Sequence, residues 1–196
     1  MSSPFFRSRK AVQTFFIDDD PSTKDPSKAL RVHDVFLSFR GEDTRSSFTS
    51  HLHHSLLNSG IKVFRDDDSL QRGDNISTTL LQAIEQSQIA IIIFSQNYAD
   101  SRWCLNELAK IMKCHRTIGQ VILPVFYDIH PSEVRHRTGE FGKSYQNLLN
   151  RLSNKKELYK VPVFKFGLSN FELQLSWTTT LHEAAGFGGF VLPNYR

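Results

Sequence analysis

Cysteine is scarce in this 196-residue chain: only Cys104 and Cys114 occur, ten positions apart. Both fall in or beside one expected helix, where ten residues span about 15 Å. That separation is too long for a disulfide between them, and free thiols point to a reducing compartment. With His115 they also lack the spacing of zinc ligands. Long apolar runs are missing too. The longest unbroken one, 89–94, has six residues, against the roughly 20 that a membrane-spanning helix needs. Residues 1–10 hold no apolar stretch of the secretory kind. An excess of one charge is absent as well. The chain has 24 Lys and Arg against 20 Asp and Glu, a net charge of +4. Basic residues form no stripe of the kind nucleic acid requires, and Arg135, His136, Arg137 and Lys143 are the nearest approach to one. No Gly-x-Gly-x-x-Gly fingerprint occurs. Gly139-Glu140-Phe141-Gly142-Lys143-Ser144 has two residues between its glycines, whereas a phosphate loop needs four.

What remains is a globular composition, 39% apolar and 22% charged, at a length that suits one domain. Residues 1–32 are rich in Ser, Pro, Lys and Asp without sustained periodicity, and are expected to be a disordered leader. From His33 the texture changes. Short apolar runs at 34–39, 61–64, 89–94 and 121–127 read as strands, and 189–192 as a short last strand. Pro124 within the fourth run is tolerated best at a sheet edge or a bulge. Helical spacing of apolar residues covers 44–58, 76–86, 103–116, 141–152 and 171–185. Gly60 suits the end of the first of these helices. Strands alternating with helices of this length predict an α/β fold, a doubly wound parallel sheet with helices on both faces. Ligands of such folds bind beyond the carboxyl ends of the strands. That directs attention to 40–45, 65–75 and 95–102.

Four segments in those places carry a resemblance. The first runs His33-Asp34-Val35-Phe36-Leu37-Ser38-Phe39-Arg40-Gly41-Glu42-Asp43-Thr44-Arg45. The second is Phe64-Arg65-Asp66-Asp67 with Leu70-Gln71-Arg72-Gly73-Asp74-Asn75-Ile76. The third is Ser95-Gln96-Asn97-Tyr98-Ala99 with Trp103-Cys104-Leu105-Asn106-Glu107-Leu108. The fourth is Pro124-Val125-Phe126-Tyr127, Pro131-Ser132-Glu133-Val134-Arg135 and Gly139-Glu140-Phe141-Gly142. Together, in this order, they resemble a plant Toll/interleukin-receptor (TIR) domain, either TIR-only or the front of a nucleotide-binding leucine-rich-repeat disease-resistance protein. The likeness is close over 33–152 and looser to about 192. It implies a flavodoxin-like sheet of five parallel strands and a TIR domain over 33–192. Against the family pattern, an irregular insert is expected near 159–173, and the usual last helix is expected to be lacking.

The resemblance also implies an activity: an NAD nucleosidase that cleaves the nicotinamide–ribose bond when self-associated, producing a nucleotide signal in plant innate immunity. NAD is then substrate, NADP stays open as a second one, and no metal or cofactor is required. Glu107 is the implied catalytic carboxylate. Outside this pattern, a lone Glu in a helix reads as a solvated residue near the positive helix end. Phe39, Arg40, Gly41, Arg45, Gly73 and Trp103 are the implied substrate-binding residues. Arginines suit a pyrophosphate, glycines let backbone approach a ligand, and an indole four residues before Glu107 can stack on a base. Arg40 and Arg45 also read as surface ion-pair partners of Glu42 and Asp43. Ser50 and His51 are the implied self-association pair; the plainer reading is a helix surface bearing His51, His53 and His54. Cys104 reads as buried packing. The rival function is a non-catalytic adaptor working through TIR–TIR contact alone. Homo-oligomers and downstream lipase-like immune signalling proteins are the implied partners, with no membrane, in the cytoplasm and with the nucleus open to it.

Overall fold

A computed structural model describes residues 31–65, 78–153 and 170–193. The expected leader, apart from its last two residues, the loop holding Gly73 and the 159–169 part of the expected insert lie outside them.

Five strands form one sheet: β1 (His33–Phe39), β2 (Val63–Arg65), β3 (Ser87–Phe94), β4 (Val121–Tyr127) and β5 (Phe190–Leu192). All neighbours pair parallel, in the order β2-β1-β3-β4-β5. This is the expected flavodoxin-like arrangement. Its chain reverses direction across the sheet between β1 and β3, and the crevice outside their carboxyl ends is where such folds place ligands. Side chains of β1 and β3 alternate between the two faces. Phe36, Ala90, Ile92 and Phe94 join one core cluster with Leu80, Leu105, Leu108 and Ile111. Val35, Leu37, Ile91 and Ile93 are buried on the opposite side of the strands. Each such side chain contributes about 1.5–3 kcal/mol by leaving water.

Pro124 is a correction. It sits in β4, an inner strand, opposite Ile92 of β3. The ladder from β4 to β5 begins one residue later, at Val125 and Phe190. The proline is therefore accommodated where one ladder has not yet started, not at an edge or bulge. Gly189 passes beside it so closely that a Cβ there would lie 2.2 Å from the Pro124 carbonyl oxygen.

The helix expected over 44–58 is broken. One turn, α1 (Gly41–Thr44), leads into a wide π-type turn over Arg45–Thr49, where Ser47 leaves helical geometry (φ −125°, ψ −108°). Helix α2 (Ser50–Asn58) follows and ends ahead of Gly60, whose φ is +79°. Helices α3 (Thr78–Glu85) and α4 (Arg102–Ile118) carry the expected apolar faces. Beyond β4 the chain is more helical than its periodicity suggests. A short helix, α5 (Pro131–His136), begins with Pro131 in its first turn and a capping box between His130 and Glu133. Six residues are too few for a period, so only the capping pattern could announce it. Helices α6 (Gly139–Ser153) and α7 (Asn170–Ala184) complete the set among the described residues. The last four positions of the expected insert are thus the start of α7. Trp177 anchors α7: it is buried, and its indole donates to Asn106 Oδ1 of α4 at 3.0 Å. Among the described residues no helix is long and apolar enough to cross a membrane.

Candidate active site

Helix α4 presents a carboxylate to the sheet. Ser101 caps its start, accepting from the Cys104 amide at 3.3 Å. Cys104, Leu105, Leu108, Ile111 and Met112 then form its buried face. Glu107 lies three residues after Cys104 and four before Ile111, so helical spacing puts it on that same face. It is only 8% exposed. Across from it Ser38, fully buried near the end of β1, donates a hydrogen bond to Glu107 Oε2 at 2.8 Å. Ser38 Oγ also lies 2.9 Å from the Tyr98 hydroxyl, which donates to the Cys104 carbonyl at 3.1 Å. Burial first, then the nearby Cys104 and Glu107, hold the Tyr98 phenol protonated well above its ordinary range.

A loop with two arginines and two carboxylates leaves β1 just after Ser38. Phe39 is buried, and its carbonyl accepts from the Cys104 thiol at 3.5 Å. The guanidinium of Arg45 folds back over the Phe39 ring, 5.1 Å from its centroid, a cation–π contact. Gly41 permits this, since a Cβ there would stand 3.0 Å from Arg45 Nη2. Arg40 is half-buried and pairs with exposed Glu42 at 2.6 Å. Its Nε is buried and meets no acceptor among the described residues. Asp43 ties the loop down. Its carboxylate accepts from Ser95 Oγ at 2.6 Å, from the Asn97 amide at 2.9 Å and from Asn97 Nδ2 at 3.1 Å. Asn97 Oδ1 in turn accepts from Ser144 of α6 at 3.1 Å. The two loops that leave β1 and β3 are therefore held to each other at the crevice.

A family of known domains matches this chain over residues 32–160, under the description TIR domain. The chain belongs to the TIR domain family. Disease resistance protein RPV1 of Vitis rotundifolia is 44% identical over 165 residues, which cover 84% of this chain and 10% of RPV1. TMV resistance protein N of Nicotiana glutinosa is 55% identical over 114 residues, 58% of this chain and 10% of that protein. The chain thus spans about a tenth of the length of these plant resistance proteins. Among solved structures, the TIR domains of the activated Roq1 resistosome, which directly recognises the pathogen effector XopQ, align with a TM-score of 0.65 at 39% identity. That match covers 83% of this chain and 89% of the other.

In this TIR domain, then, Phe39, Arg40, Gly41 and Arg45 follow Ser38 out of β1, and Ser38 bonds Glu107. Trp103 stands in the first turn of α4, half-buried and packed against the core. Gly73 lies outside the described residues. Ser50 and His51 begin α2. The Ser50 hydroxyl turns inward and donates to the Arg45 carbonyl at 2.5 Å, while His51 is exposed. Cys104 is no nucleophile: burial first, and Glu107 next, push its thiol up to about 12. Among the described residues no three His, Cys, Asp or Glu side chains gather as a metal site would need. The candidate cations for nucleic acid are engaged locally: Arg135 with the Ala185 carbonyl, Arg137 with the Arg135 carbonyl and Lys143 with Glu140.

Sequence reasoning missed Ser38, Asp43, Tyr98 and Asn97. A signal for Ser38 existed, because it is the one polar residue in an otherwise apolar strand core. The partners of Asp43 lie more than fifty positions away, and no local pattern could reveal them.

Proposed function

We propose that this TIR domain cleaves NAD at the nicotinamide–ribose bond, with Glu107 as the catalytic carboxylate. The observation that carries the reading is the carboxylate itself, buried yet hydrogen-bonded to Ser38 near the carboxyl end of β1, where the loop with two arginines begins. Cleavage breaks the bond from the anomeric carbon to a positively charged pyridinium nitrogen. The bonding pair leaves with nicotinamide, which departs neutral, so no general acid is needed. Positive charge develops on the ribose ring, and a fixed carboxylate close to it stabilises that charge. With water as acceptor, hydroxide adds to the anomeric carbon and one proton is released, giving ADP-ribose and nicotinamide. No metal or further cofactor enters this chemistry.

Arg40 and Arg45 are suited to the pyrophosphate. Phe39, Gly41, Gly73 and Trp103 are the remaining substrate-binding residues of this reading, the glycines for close approach of backbone and the indole for stacking. Self-association through α2 belongs to the same reading, with Ser50 and exposed His51 as its contact residues. NAD, a second copy of the domain and lipase-like immune proteins downstream are its partners, and the cytoplasm and nucleus its setting.

Incubation of concentrated protein with NAD, followed by measurement of free nicotinamide, tests this directly. Release that rises more than linearly with protein concentration, and disappears in Glu107→Ala, is the expected result. A folded wild-type sample that releases none at any concentration would overturn it and leave the adaptor reading.

A further inference from the structure

Glu107 does not sit on α4 unaided. Two hydroxyls, Ser38 and Tyr98, have one proton each, and their neighbours are the Glu107 carboxylate and the Cys104 carbonyl. All of these groups lie within the buried core. An ionised carboxylate is the strongest acceptor among them, so it takes the Ser38 proton. The Ser38 oxygen is then left to accept, and the one Tyr98 proton is shared between it, at 2.9 Å, and the Cys104 carbonyl, at 3.1 Å. Protonating Glu107 would reverse the order. The carboxyl would donate to Ser38, Ser38 to Tyr98, and Tyr98 to the Cys104 carbonyl alone.

From this geometry we infer that Ser38 and Tyr98 are positioning residues for Glu107: Ser38 fixes the carboxylate in one orientation and favours its ionised form, and Tyr98 holds Ser38 as the donor. The inference rests on the reading of Glu107 as the catalytic carboxylate for its kinetic consequence, but not for its electrostatic one. Tyr98 suits the task because its buried phenol stays protonated across the working pH range. Ser38 suits it because β1 is paired on both sides, with Leu37 matched to Arg65 of β2 and Ser38 to Ile92 of β3, which leaves its backbone no freedom. A hydrogen bond donated to a carboxylate favours the charged form and lowers its pKa. Losing that bond raises the pKa, so activity that needs the ionised carboxylate would fail at a higher pH.

The test compares wild type, Ser38→Ala, Tyr98→Phe and Glu107→Gln in the full chain. Glutamate labelled with carbon-13 at the side-chain carboxyl reports the titration of Glu107, assigned by the signal missing in Glu107→Gln. Nicotinamide release is followed against pH in parallel. Expected are an upward shift of the Glu107 titration by about one unit in Ser38→Ala, and a smaller shift in the same direction in Tyr98→Phe. The acid limb of the rate profile should move with each titration. The kcat of Ser38→Ala should fall by roughly tenfold to a hundredfold, with KM for NAD little changed. Tyr98→Phe preserves the ring and its packing, so it serves if Ser38→Ala does not fold. Unmoved titrations and rate profiles in folded variants would overturn the inference while leaving the proposed function intact. Shifted titrations without nicotinamide release from wild type would retain the electrostatic role and remove the enzymatic reading.

Discussion

Strands β1 and β3 lie side by side in register, and both are buried on both faces, yet they do different work. From Ile89 to Phe94, β3 is apolar without interruption. Over the same depth β1 runs Val35, Phe36, Leu37, Ser38, Phe39, with one hydroxyl opposite Ile92. Where β3 holds a branched hydrocarbon, β1 holds a hydrogen-bond donor, and that donor meets the single carboxylate on the buried face of α4. A buried hydroxyl without a partner is unfavourable by about 1–3 kcal/mol. Its presence in the core therefore marks a place where another polar group must already be. The comparison shows how a sheet made for stability accommodates a site: one exchange, at one level, near the end of one strand.

The largest effect should come from the acid itself. Glu107→Ala removes the group proposed to face the developing ribosyl charge, and nicotinamide release should drop by roughly a thousandfold, measured beside a thermal melt that stays cooperative. Next, Ile92→Ser gives β3 a hydroxyl level with Ser38, whose own hydroxyl already holds the Glu107 carboxylate. It loses a buried side chain and gains an unpartnered hydroxyl, so denaturant unfolding should show a loss of about 4 kcal/mol. A loss under half of that would mean the two positions are not distinguished by their surroundings. Gly189→Ala drives a Cβ into the Pro124 carbonyl. Unfolding should show about 2 kcal/mol of destabilisation, and amide exchange should show β5 opening first. Asp43→Ala releases three accepted hydrogen bonds between the loops after β1 and β3. A several-fold rise in KM for NAD with a smaller change in kcat is expected, as the arginines lose their footing. The smallest effect concerns Cys104. Its thiol titrates near 9.0 when unfolded and is pushed up to about 12 by burial in the fold. Native protein at pH 8 should therefore leave Cys104 unalkylated, and urea-unfolded protein should label it. The linked stability is full below pH 9 and declines as pH rises towards 12. Rapid labelling of the native thiol would place Cys104 outside the core.

Legibility followed the length of the signal. Strand β4 matches the expected bounds at both ends, and β3 begins only two residues earlier than expected, because continuous β-branched runs have few alternatives. Helix α4 was legible from its apolar spacing, and its Ser101 cap and Gly119, with φ at +66°, set the ends. The break between Arg45 and Thr49 was not, since its apolar residues keep helical spacing across the kink. Nor was α5, for which only a capping box over His130 and Glu133 spoke. For the site, the resemblance pointed to Glu107, Phe39, Arg40, Gly41, Arg45, Gly73 and Trp103; the fold sets Phe39, Arg40, Gly41 and Arg45 next to Ser38, the partner of Glu107, puts Trp103 against the core, and Gly73 lies outside the described residues. Ser50 and His51, the implied self-association pair, begin α2, one with its hydroxyl turned inward and the other facing solvent.

By itself, the sequence determined the parallel α/β architecture, the order of its elements and the membership in the TIR family, because periodicity and motif spacing are properties of the chain read locally. Only the tertiary structure decided what Glu107 is. On a helical wheel it is one carboxylate among apolar neighbours. Packed against β1, it becomes a buried acceptor for Ser38, 69 residues away along the chain, with Tyr98 behind that serine and 60 residues from it. Hydrogen-bond partners at that separation are set by the sheet order and by how α4 lies on it, and neither is written in any local stretch of residues.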